Sequence, residues 1–166
     1  MKPPVVIFFV GNPSRGDDAL GPVLCARLEQ WLANADLSEP VELVEDFQLQ
    51  VEHALDLQGR RLALFVDAAL NQDVPVVFGP TQVVDRISHC SHALTPGAVL
   101  QAFAAMGAEG APAACTLSVA AHRCDLGEGL SSEAEKNAQQ ALALLCDLLR
   151  CPEPAYWASR QTDKNV

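Results

Sequence analysis

The chain has 166 residues, 49% hydrophobic and 19% charged, which is enough apolar material for one packed domain and too little charge for a disordered chain. Eleven Lys and Arg against 21 Asp and Glu give a formal charge of −10, which argues against wrapping nucleic acid or lying on an anionic membrane. No apolar run approaches the roughly 20 residues that span a bilayer, and the expectation is a cytoplasmic protein.

Met1-Lys2-Pro3-Pro4 lacks a small-residue cleavage site, so the apolar run Val5–Val10 reads as a first strand and not as a signal peptide. Its β-branched and aromatic residues suit a strand buried on both faces. Asp17 and Asp18 precede Leu20, Val23, Leu24, Leu28, Trp31 and Leu32, which follow helical spacing; either acid suits the helix start. Residues 41–44 predict a short second strand. Val51, Ala54, Leu55 and Leu57 predict a second helix that stops near Gly59, with His53 on its surface. Residues 62–66 form a third buried strand that ends in Asp67. Residues 74–78 and 81–84 are strand-like, and the intervening Gly79-Pro80 places this segment at a sheet edge. Thr95 and Pro96 are the N-cap and first turn of a helix reaching about Met106. Residues 115–121 form the last strand, and Ser131-Ser132-Glu133 opens a long final helix. The order β-α-β-α-β-β-α-β-α predicts a single α/β domain over residues 1–150, with a mostly parallel twisted sheet of about five strands and helices on both faces. Residues 151–166 read as a flexible tail. The six cysteines contain no CxxC pair and read as reduced thiols.

Ligands of open α/β sheets bind at the carboxyl ends of the strands. Asp17 and Asp18 follow strand one, Asp46 strand two and Asp67 strand three; His89 and His92 precede the third helix, and His122 follows the last strand. Several have ordinary explanations: Asp17 as a helix cap, Asp46 as a turn cap, Arg15 as a loop charge. Asp67, hemmed by apolar residues, needs a cation, a metal or several hydrogen bonds. Two or three acids and a histidine at one crevice suit a borderline divalent metal such as nickel or zinc. A phosphate loop, a GxGxxG turn, a GxSxG elbow and an HExxH helix are all missing from the sequence.

The run Gly11-Asn12-Pro13-Ser14-Arg15-Gly16-Asp17-Asp18-Ala19-Leu20-Gly21 resembles the N-terminal signature of the hydrogenase maturation endopeptidases. The resemblance continues through Asp67 and through Ser91-His92-Ala93-Leu94-Thr95-Pro96, and it covers about residues 5–150. Pro13 departs from it, standing where many members carry an aliphatic residue. The resemblance implies an enzyme that removes a C-terminal extension from the large-subunit precursor of a [NiFe]-hydrogenase after nickel insertion. It assigns nickel contacts to Asp18, Asp67 and His92, with catalysis on Asp18 and Asp67. The nickel is held by the precursor, so metal in the isolated protein is expected to be weak or absent. Residues 46–57 look most like the branch serving soluble NAD-reducing, bidirectional hydrogenases. The expected protein is a monomer that meets its precursor transiently. Two other readings use the same residues: a non-catalytic nickel-checking or assembly factor, and a hydrolase with its own metal ion.

Overall fold

The apolar run Val5–Val10 becomes β1, every residue of it buried, flanked on both sides by parallel strands. The computed structural model describes residues 1–83 and 94–162. A 3₁₀ turn, Gly16–Ala19, leads from β1 into α1, Leu20–Leu32. Then follow β2 (Val41–Asp46), a single helical turn α2 (His53–Asp56) and β3 (Leu62–Ala69). β4 (Val76–Pro80), α3 (Pro96–Ala105), β5 (Ala113–Ala120), α4 (Ser132–Arg150) and α5 (Pro154–Ser159) complete the chain. The strand order is β2-β1-β3-β5-β4, parallel except for β4, which pairs antiparallel with β5 at one edge. The single-domain α/β architecture and the edge position that Gly79-Pro80 signalled are both present. The second helix is one turn only: Ala54 and Leu57 are buried, but Val51 and Leu55 stay exposed and give a longer helix nothing to pack on.

Strand alternation divides the core. Ile7, Leu64, Val66 and Leu117 face Leu20, Leu24 and Leu28 of α1 and Ala138, Ala141 and Leu145 of α4. Val6, Phe8, Ala63 and Phe65 face Ala54, Leu57 and, from α3, Val99 and Phe103. Helices therefore cover both faces, as parallel strands require. Two caps foreseen in the sequence are made: Thr95 Oγ1 accepts from Ala98 N at 3.1 Å, and Ser131 Oγ from Ala134 N at 3.1 Å. Among the described residues, five cysteines are free, and no helix is long and apolar enough to cross a membrane.

Residues 151–162 are not the loose tail expected from their prolines. Pro154 sits in the first turn of α5, where its missing N–H costs nothing. The helix delivers Trp157 into the core, 1% exposed, with its indole N–H donating to Leu148 O at 3.0 Å and its ring edge-on to Phe78. A fully buried indole contributes far more than two prolines cost. Trp157→Ala should therefore destabilise the protein by about 3–5 kcal/mol. Urea unfolding checks this; an unchanged midpoint would mean that the segment is not part of the fold.

Candidate active site

The first motif works as a clamp. Gly11 has φ +151° and lies so close to Asp18 O that a Cβ there would come within 2.0 Å of it. A Cβ on Gly21 would meet Val10 O at 2.2 Å. Both glycines let the turn and the start of α1 press onto the end of β1. The two acids between them then diverge.

Asp17 is fully buried. Its carboxylate accepts from His122 N (2.8 Å), Arg123 N (2.9 Å), Ser131 N (2.7 Å) and Ser131 Oγ (2.8 Å). Burial alone would raise its pKa, but these bonds outweigh it and hold the carboxyl below its usual value of 3.8. Asp17 caps neither the 3₁₀ turn nor α1, contrary to its ordinary reading as a cap; it ties the first loop to the end of β5 and the start of α4.

Asp18 is half-buried and turns the other way. One oxygen accepts from Asn12 N at 2.9 Å. Asp67, two residues before the end of β3, lies close enough to feel the charge of Asp18. The strand order reverses between β1 and β3, since β1 leads outward to β2 on one side and β3 to β5 on the other. A topological switch point of this kind opens a crevice at the carboxyl ends of the strands. Asp18 and Asp67 flank it. Crowding at the crevice mouth pushes the Asp67 carboxyl up to about 7; its bond with Ala68 N opposes the rise, and the charge of Asp18 adds to it. The side chain keeps an exposed face, so the rise reflects a desolvated mouth and not full enclosure.

The other residues singled out in the sequence are dispersed. Asp46 closes its own turn, accepting from Phe47 N at 2.7 Å and from Gln50 Nε2 at 3.4 Å. His53 is buried, not on the surface: Phe8 packs against its ring, Gln50 N donates to Nδ1, and Nε2 lies 3.4 Å from Asp46. Its neighbour Glu52 gave a polar reading that the packing onto Phe8 overrides. His122 has an exposed side chain and a main chain fixed by Asp17. Arg15 is exposed and makes a backbone bridge with Leu126. His89 and His92 lie outside the described residues. Among the described residues, no three His, Cys, Asp or Glu side chains converge to hold a metal. The sequence reading missed the long-range role of Asp17, whose partners lie 105 to 114 residues away.

No family model and no curated protein matches the chain. The fold does match solved structures. The hydrogenase maturating endopeptidase HybD from E. coli superimposes with a TM-score of 0.68 at 20% identity, covering 88% of this chain and 91% of that one. The [NiFe] hydrogenase maturation protease HycI from Thermococcus kodakarensis gives 0.66 at 19% identity over 88% and 92%. The [NiFe] hydrogenase maturation protease HybD from the same organism gives 0.63 at 21% over 87% and 98%. At such identities the likeness establishes the fold.

Two outcomes follow. Asp17→Ala leaves buried donors without partners and should cost roughly 3–5 kcal/mol, or about 10 °C in Tm. Asp17→Asn should come close to it, because an amide turns a donor toward donors. The depressed pKa makes this contribution present above about pH 3.8 and lost as pH falls through the folded value, so the gap to wild type closes in acid. Asp67 has the opposite sign. Its raised pKa means that the ionised form burdens the fold above about pH 7 and that protonation relieves it between 7 and 3.8. Asp67→Asn should raise Tm at pH 8 and lose that advantage by pH 4; equal gains at both pH values would contradict the assignment.

Proposed function

We propose that this chain is an endopeptidase that removes the C-terminal extension of a [NiFe]-hydrogenase large-subunit precursor after nickel insertion, reading the nickel that the precursor carries. The observation that carries this is the facing pair Asp18 and Asp67 at the switch-point crevice. Two acids brought together with one desolvated are unfavourable unless a cation comes between them. The precursor's nickel is that cation, and His92 supplies the nitrogen donor. The fold's similarity to hydrogenase maturation proteases of known structure supports the same reading. Residues 46–57 resemble the branch serving soluble NAD-reducing, bidirectional hydrogenases, and such a hydrogenase is the proposed source of the precursor.

In this mechanism the chain supplies position. The clamped 3₁₀ turn holds Asp18 and β3 holds Asp67, so that nickel binding brings one peptide bond into the crevice. Water adds to the scissile carbonyl carbon, its proton passes to a base, the C–N bond breaks, and the departing amine takes up a proton. Nickel can polarise that carbonyl or acidify the water. A carboxylate with a pKa near 7, such as Asp67, has the proton affinity to accept from water at neutral pH.

The test is mass spectrometry of nickel-loaded and nickel-free precursors after incubation with the protein. Loss of a C-terminal peptide from the nickel-loaded form alone is expected. Asp18→Ala and Asp67→Ala should each reduce processing more than about 100-fold, exceeding the usual loss from disturbing a metal's outer shell. Processing at wild-type rates by both variants would refute the site, and stable binding without mass loss would identify an assembly factor.

A further inference from the structure

The crevice does not end at Asp67. Asp67 pairs with Ser118 of β5, and Ser118 pairs with Val77 of β4. Because side chains alternate, all three project from the same face, the one that α3 covers over β1 and β3. At the usual strand spacing of about 4.8 Å, Ser118 stands one step from Asp67 and Val77 about 10 Å away. This row opens into a groove of about 350 Å³ whose walls include Val77, Gly79, Thr116, Ser118, Gln161 and Thr162. None of the described residues lining it carries a charge, in a chain of net charge −10. Gly79 leaves it open: a Cβ there would meet nothing within 4 Å.

One wall shows what this edge accepts. Phe78 N donates to Thr162 Oγ1 at 2.9 Å, and Thr162 N donates to Phe78 O at 2.8 Å. The outer edge of β4 is thus engaged at Phe78 by a single residue, Thr162, of the C-terminal segment. Pro75 O and Thr81 N bond inward to β5, so Val76 and Pro80 face outward with Phe78. An edge strand with outward main-chain groups beside an uncharged trough is the arrangement that recognises extended peptides.

We propose that this groove is a subsite for an extended, uncharged segment of the polypeptide substrate, adjoining the bond presented at Asp67. The inference rests on the endopeptidase reading above and adds where the substrate's chain runs. A charged segment would lose hydration on entering without gaining a counter-charge, so small and apolar residues are selected. Ser118 lines the groove and is the register partner of Asp67, so the occupant is taken to be the same polypeptide and not a separate ligand.

Two measurements on the full chain with the nickel-loaded precursor test this. Val77, 37% exposed, is replaced in Val77→Arg, which puts bulk and charge into the groove. KM should rise at least about 10-fold with kcat near wild type and Tm nearly unchanged. Gly79→Leu fills the same space without a backbone clash and repeats the test should Val77→Arg fold poorly. In parallel, a photo-crosslinking residue at position 79 should capture the precursor near its cleavage point. Processing by wild type with no crosslink, and with unchanged KM in both variants, overturns the groove and leaves the endopeptidase standing. Absence of both processing and crosslinking overturns both. Crosslinking without processing keeps the groove and removes the protease.

Discussion

The carboxylate of Asp17 is the point on which the functional end of this molecule depends. Four donors converge on it from the end of β5 and the start of α4. A buried charge is tolerable only when its lone pairs are satisfied, and here they are. Ser131 serves twice, donating to Asp17 while capping α4 through Ala134 N. The negative charge also lies at the N-terminus of a 19-residue helix, where the peptide dipoles favour it. Main-chain bonds from Gly16 N to Glu128 O, Asp17 N to Arg123 O and Gly127 N to Ser14 O fasten the same two loops together. The loop carrying Asp18 is thereby fixed from both sides.

That rigidity matters because the neighbouring pair is unfavourable. Asp18 and Asp67 repel, and the crowding around Asp67 penalises its charge. A flexible loop would relax by swinging Asp18 into water. The glycines at 11 and 21, the Asn12 N bond and the Asp17 clamp prevent it. The fold thus spends stability from one acid to hold its neighbour beside Asp67, a division between structural and exposed acids.

How far this could be read from the sequence depends on the range of the interactions involved. Continuous apolar runs gave β1 and β3, because a strand buried on both faces leaves that mark locally. Thr95 and Ser131 announced their helices, since a cap and the N–H that donates to it lie three residues apart. Asp67 stood out by its apolar surroundings. Asp17 and Asp18 could not be told apart: the bonds that separate them come from residues over a hundred positions away. Trp157 was hidden by its prolines and polar neighbours, and only Phe78 and Leu148, distant in sequence or on another helix, explain its burial. His53 was masked in the same way by Glu52. The groove left no local mark at all, because its walls come from β4, β5 and the C-terminal segment.

Charge along the sheet then separates two tasks. Across the face, Asp46 pairs with Val10 on one side of the switch point, and on the other the row runs Asp67, Ser118, Val77. Asp46 is absorbed by its own turn and His53, so the negative character available to a ligand lies at Asp67 and the adjacent Asp18. Beyond β3 the row becomes neutral. A cation is attracted over distances of several ångströms and needs little orientation, whereas an uncharged peptide is held by short-range main-chain bonds that fix direction. In the proposed reading, the two lie side by side on one sheet, so that a cation would set the location and the edge strand the orientation. A chain lacking the cation would receive orientation without location, and one lacking the matching segment would receive location without orientation. On that proposal only a polypeptide presenting both at the right separation would bring its bond to Asp67, and the fixed register of β3, β5 and β4 would define that separation.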